Sequence, residues 1–85
     1  MDMKRADIGL LLSLDVLLDE RHVSRAANRL NLSQSAMSSQ LARLREWFGD
    51  PLLIPSGNGR GMVLTPRAEA LQGPLRAALQ DRKSV

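Results

Sequence analysis

Between Ser33 and Arg43 the chain carries a run of small hydrogen-bonding side chains: Ser33, Gln34, Ser35, Ser38 and Ser39, with Ala36 among them. None has a base and an orienting carboxylate placed to make it a nucleophile, so the chemistry open to them is recognition. A glutamine can bond adenine, a serine hydroxyl can bond either donors or acceptors, and an alanine methyl can pack on the thymine methyl. These are the contacts by which duplex DNA is read through its major groove. They require the residues to lie at the exposed start of a helix, where several side chains reach base edges together.

Other chemistry is poorly served. There is no cysteine, and His22 is the single histidine, which leaves no thiolate metal site and no acid–base system; His22 reads as a capping or surface residue at a helix junction. Asp19 and Glu20 are adjacent, so on a helix they point apart and read as solvated. The glycines around Asn58 resemble a phosphate loop only superficially, because a strand follows them and no lysine is placed for phosphates. No catalytic residue, metal site or cofactor is expected.

The elements that must position the recognition residues are legible around them. Val23, Ala26, Ala27 and Leu30 fall at the spacing of one buried helical face. Asn31 tolerates the left-handed conformation that ends a helix, and Ser33 is a good N-cap for the next, which starts near Gln34. Met37, Leu41, Leu44 and Phe48 keep one face of that helix apolar, with Trp47 beside them as core. Ser35, Ser39, Ala42 and Glu46 lie opposite. Two helices joined this tightly form a helix-turn-helix corner.

Upstream, Asp7 is expected to cap a helix running to about Arg21. Leu10, Leu11, Leu14, Leu17 and Leu18 form one face of it, and Leu12 and Val16 a second flank. Downstream, Gly49 ends the second motif helix and Asp50-Pro51 starts a turn. Leu52-Leu53-Ile54 and Met62-Val63-Leu64 read as a hairpin with a flexible tip, the wing of a winged helix-turn-helix. Thr65 as N-cap and Pro66 at the first position open a last helix with Ala68, Leu71, Leu75 and Leu79 as its stripe. Gly73-Pro74 interrupts that helix, which predicts a kink, since an interior proline costs about 3 kcal/mol. The fold class is therefore all-α with a small β-hairpin. Residues 1–64 form the winged unit and 65–85 the start of a long linker and dimerisation helix, with the stripe still running where the chain stops, as in an excised fragment.

At 85 residues the chain is one domain near the lower size limit for a self-sufficient core, and pairing with a second copy would help it. Leu12, Val16, Leu71, Leu75 and Leu79 are the residues expected in that contact. The net charge of +3 is unevenly spread: residues 1–20 are net acidic, whereas Arg21, Arg25, Arg29, Arg43, Arg45 and Arg60 face only Glu46 and Asp50 in residues 21–60. A basic centre over the two-helix motif favours a polyanion there. With Trp47 and Phe48 as the sole aromatics, single-strand stacking is disfavoured and duplex DNA preferred. No apolar run reaches the roughly 18 residues of a membrane span.

With these residues in place, the sequence resembles the N-terminal DNA-binding domain of LysR-type transcriptional regulators over nearly its whole length. The resemblance is carried by Ser24-Arg25-Ala26-Ala27 with Leu30, Leu32-Ser33-Gln34-Ser35-Ala36-Met37-Ser38, Leu41 with Leu44, Gly49, Pro51-Leu52 and Leu64-Thr65-Pro66. Arg45, Phe48 and Asp50-Pro51 look most like the branch containing regulators of nodulation and aromatic-compound degradation. The resemblance implies a recognition helix in the major groove, a wing near the minor groove and an operator read as an interrupted inverted repeat. It also implies a homodimer through the last helix, higher oligomers in the intact protein, a cytoplasmic location, and a small-molecule effector bound by a C-terminal domain absent from this chain.

Departures from the family pattern shift some roles. Ser35 replaces a common proline, Leu53 a usual phenylalanine and Ala68 a frequent glycine. Pro55 stands where an arginine commonly approaches the DNA backbone, which leaves the wing contact to Arg60. Arg25, Arg29 and Arg43 are the other expected phosphate contacts. The alternative reading is a helical protein-interaction module without specific readout; strong salt-dependent duplex binding separates the two.

Overall fold

Among the described residues, 5–57 and 61–83, the computed structural model has α1 (Arg5–Glu20), α2 (Val23–Arg29), α3 (Gln34–Phe48), β1 (Leu53–Pro55), β2 (Met62–Leu64) and α4 (Pro66–Lys83). Local chemistry sets the corner between α2 and α3. Asn31 turns left-handed at φ 57°. The Leu32 amide donates to the Ala27 carbonyl at 2.8 Å and the Asn31 amide to the Asn28 carbonyl at 3.1 Å, the two bonds of a Schellman stop. Ser33 is extended, and its hydroxyl accepts the Ala36 amide at 3.1 Å, so α3 starts at Gln34. Gly49, left-handed at φ 63°, closes it. His22 caps α2, its Nδ1 accepting the Arg25 amide at 3.3 Å.

The other boundaries correct the sequence reading. α1 opens at Arg5, so Asp7 lies within the helix and is not its N-cap. The first strand begins at Leu53, one residue later than expected, because Leu52 is held at φ 65° in a tight turn. The hairpin is antiparallel, pairing Leu53 with Leu64, Ile54 with Val63 and Pro55 with Met62. Alternation buries Leu53 and Leu64 and turns Ile54 and Val63 outward. Arg60 lies outside the described residues.

One core joins every element. Leu14, Leu17 and Leu18 of α1, Ala26 of α2, Met37 and Leu44 of α3, Leu52, Leu53 and Ala68 are all fully buried; each large side chain so placed contributes about 1.5 to 3 kcal/mol. Val16 belongs to this core at 7 % exposure, not to a flank left for a second copy. The stripe of α4 also finds a partner inside the domain: α4 packs on α1, and Leu71 and Leu75 are half-buried against the core. Gln72 Nε2 donates to the Leu18 carbonyl at 3.4 Å, and Arg76 pairs with Asp15 at 3.3 Å and Asp19 at 3.6 Å. The helix continues through Gly73 to Lys83 with Pro74 inside it, where the proline leaves one backbone bond unmade.

Candidate nucleic-acid interface

The α3 residues singled out from the sequence come together on one surface. Gln34, Ser35, Ser38, Ser39 and Arg43 are exposed, and Ala36 is half-buried beside them. Met37, Leu41 and Leu44 fix the opposite face in the core, so the exposed face cannot rotate without exposing three apolar side chains. Ser33 has a structural task as well: its oxygen caps α3 and lies 3.3 Å from the Ser35 hydroxyl. The helix start also carries the partial positive charge of the helix dipole, which favours an anion.

The arginines divide into two groups. Arg25 and Arg43 are exposed and carry no ion pair among the described residues. Arg29 is instead turned toward α1, its Nη1 2.6 Å from Asp19 and 3.1 Å from Glu20. Asp19 and Glu20, expected to be merely solvated, hold it between them. The hydrogen bond from Arg29 is the main reason the Asp19 carboxyl titrates below its ordinary range. Arg29 is thus engaged by two carboxylates of α1 while remaining exposed.

Sequence reasoning missed a cluster at the foot of α3. Arg45, on its last turn, donates from Nε to the Pro51 carbonyl and from Nη2 to the Leu53 carbonyl, both at 2.8 Å. Asp50 accepts the Leu52 amide at 2.8 Å and the Thr65 hydroxyl at 2.7 Å on one oxygen. These bonds hold the Asp50 carboxyl low, the Thr65 hydroxyl most and the Leu52 amide next, with Arg67 nearby adding to them. Thr65 returns its amide to the Leu52 carbonyl at 3.0 Å, and its hydroxyl caps α4 through the Ala68 amide at 3.1 Å. Leu53 N–H meets the Pro51 carbonyl at 2.6 Å across Leu52; a leucine with positive φ costs about 1 to 2 kcal/mol, which the surrounding bonds offset. A second missed contact is the buried Ser13 hydroxyl, which donates to Gln40 Oε1 and links α1 to α3.

Of the residues expected in a dimer contact, Leu12 is the one in the open, at 40 % exposure. It borders a groove of about 250 Å³ lined also by Asp15, Arg29, Arg76, Leu79 and Gln80. Leu79 is 8 % exposed. Among the described residues no group of His, Asp and Glu side chains could hold a metal ion, and no helix is long and apolar enough to cross a membrane.

A helix-turn-helix with a capped, polar second helix, followed by a two-stranded hairpin and a long helix, defines a winged helix-turn-helix domain. Residues 8–69 match the model of the bacterial regulatory helix-turn-helix proteins of the lysR family, and the chain belongs to that family. It is 52 % identical over 79 residues to nodulation protein D of Bradyrhizobium sp. (strain ANU 289), covering 93 % of this chain and 23 % of that protein. Its fold superposes on a probable transcriptional regulator from Pseudomonas aeruginosa with a TM-score of 0.85 and 40 % identity, covering 96 % of this chain and 27 % of the other. The CbnR DNA-binding domain, solved in complex with DNA, gives a TM-score of 0.77 and 26 % identity over 89 % of this chain and 85 % of that one. The chain spans about a quarter of the length of the nodulation proteins it matches. The family model is one of bacterial regulatory proteins, and the Pseudomonas aeruginosa protein is described as a probable transcriptional regulator.

Proposed function

We propose that this chain reads duplex DNA as the operator-recognition module of a bacterial transcriptional regulator. In this reading α3 enters the major groove, with Gln34, Ser35, Ser38 and Ser39 toward base edges and Ala36 toward a thymine methyl. Arg25 and Arg43 hold phosphates, and Arg60 is assigned the same role from its place in the sequence. The observation that carries the reading is the exposed polar start of α3, locked by the Ser33 cap behind it and by Met37, Leu41 and Leu44 beneath it. The matched CbnR domain in its DNA complex supports it.

Residues 1–64 are the reading unit, and 65–85 begin the linker helix through which two copies associate. Such a pair presents two recognition helices in opposite orientations, so its operator is an interrupted inverted repeat. The intact regulator adds a C-terminal domain for a small-molecule effector and acts in the cytoplasm. Selection of bound duplexes from a random pool tests the proposal: recovery of a dyad supports it, and a pool that stays random refutes specific readout.

A further inference from the structure

The bonds at the foot of α3 join parts that a DNA reader must keep in fixed relation. Arg45 belongs to α3, Leu53 to the first wing strand and Thr65 to the start of α4, and Leu52 lies among them with both its amide and its carbonyl engaged. Arg45 grips the carbonyls on either side of Leu52, a two-point hold that a planar guanidinium can make and an ammonium cannot reproduce. Asp50 ties the same turn to the N-cap of α4 through one oxygen. The side chain of Leu52 is fully buried, so the turn cannot swing away without leaving the core.

We propose that Arg45 and Asp50 are positioning residues that set the wing and α4 at a fixed angle to the recognition helix, and thereby set the spacing at which two copies read two half-sites. The inference rests on the DNA-binding reading. Base preference within a half-site belongs to the exposed face of α3. Spacing between half-sites belongs to whatever orients that helix relative to the two-fold axis. A role confined to stability lowers affinity for every duplex alike; a positioning role relaxes spacing while leaving half-site preference intact.

The experiment uses the 85-residue chain with Arg45→Lys, Asp50→Ala and Asp50→Asn, at a temperature where circular dichroism shows each folded. The probes are the duplex selected by the wild type and the same duplex with one or two base pairs inserted or removed between half-sites. Arg45→Lys and Asp50→Ala are expected to lose about tenfold in affinity at the native spacing and to discriminate little among spacings, with half-site base preference unchanged. Asp50→Asn keeps an oxygen able to accept both bonds and should discriminate as the wild type does. Folded Arg45→Lys and Asp50→Ala proteins that retain spacing discrimination overturn the inference, as does Asp50→Asn failing like Asp50→Ala. A wild type that selects no duplex instead sinks the DNA-binding reading. Should the variants not fold, amide exchange in the wild type decides: Leu52, Leu53 and Thr65 should open only with the whole domain, and faster local opening refutes a rigid junction.

Discussion

The carbonyl of Arg21 accepts the amide of Met62 at 3.1 Å, tying the end of α1 to the second wing strand. Arg21 is left-handed at φ 54°, and Gly61 beside Met62 at φ 62°. A Cβ at Gly61 would stand 3.4 Å from the Arg21 carbonyl in a backbone conformation unfavourable to side chains. Gly61→Ala should therefore destabilise the domain by about 1 to 2 kcal/mol. Each kcal/mol lowers the melting temperature of a domain this size by roughly 4 to 8 °C. An unchanged melting temperature would show that the hairpin is not held there.

Arg29 should be silent in DNA binding although it lies in the basic centre of the sequence. Asp19 and Glu20 already neutralise it, so Arg29→Gln should leave the salt dependence of duplex binding as it is. Arg25→Gln and Arg43→Gln should each flatten the logarithmic salt slope by about one unit. Titrations across salt concentrations separate these outcomes, and a flattened slope for Arg29→Gln would place that side chain on the phosphates.

Ser33 and Gln34 are neighbours with separable roles. Ser33→Ala removes the acceptor for the Ala36 amide and should cost about 0.5 to 2 kcal/mol of stability in urea unfolding. Gln34→Ala and Ser38→Ala should leave stability unchanged and weaken the selected duplex by about 1 to 3 kcal/mol, with much less effect on random duplex. Equal loss on both duplexes would remove these two residues from base readout.

Asp50 gives the domain a particular acid sensitivity. Its folded-state value lies below the unfolded value of about 3.9 because Thr65 and Leu52 donate to the ionised form. The folded state then binds fewer protons than the unfolded one. The contribution is present above about pH 4 and is lost as the pH falls through the folded-state value. Asp50→Asn should remove this component, making the acid limb of stability shallower, and a limb of unchanged steepness argues against an ionised Asp50 in this contact.

What could be read from the chain, and what could not, follows the range of the interactions. Asn31, Ser33, Gly49 and the Thr65-Pro66 pair mark their boundaries because each acts on backbone groups within a few residues. The exposed face of α3 was legible for the same reason, its period being local. Spacing does not encode the pairing of Arg29 with Asp19 and Glu20, because that contact depends on the angle between α1 and α2. Leu52 reads as strand from the sequence, because its left-handed turn is held by Asp50 and Thr65, residues whose approach needs the folded wing. Val16 joins the core, yet a second apolar flank on α1 reads alike whether the core or another molecule covers it.

That ambiguity decides how association should be tested. Leu71 and Leu75 pack against the core, and Val16 and Leu79 are almost wholly buried. A charge at any of them threatens the fold before it tests a dimer. Leu12 is different, since 40 % of its surface is open beside the groove that includes Arg76 and Leu79. Leu12→Asp should leave the melting temperature of dilute protein close to that of the wild type, because little buried apolar contact is removed. In a two-fold contact, however, the same substitution meets its own copy or an apolar surface twice over, and an unpaired carboxylate cannot be desolvated there at small cost. Sedimentation across a concentration series should then give a monomer where the wild type dimerises, with the affinity advantage of two half-sites over one largely lost. A Leu12→Asp protein that still dimerises would move the association surface off this face of α1.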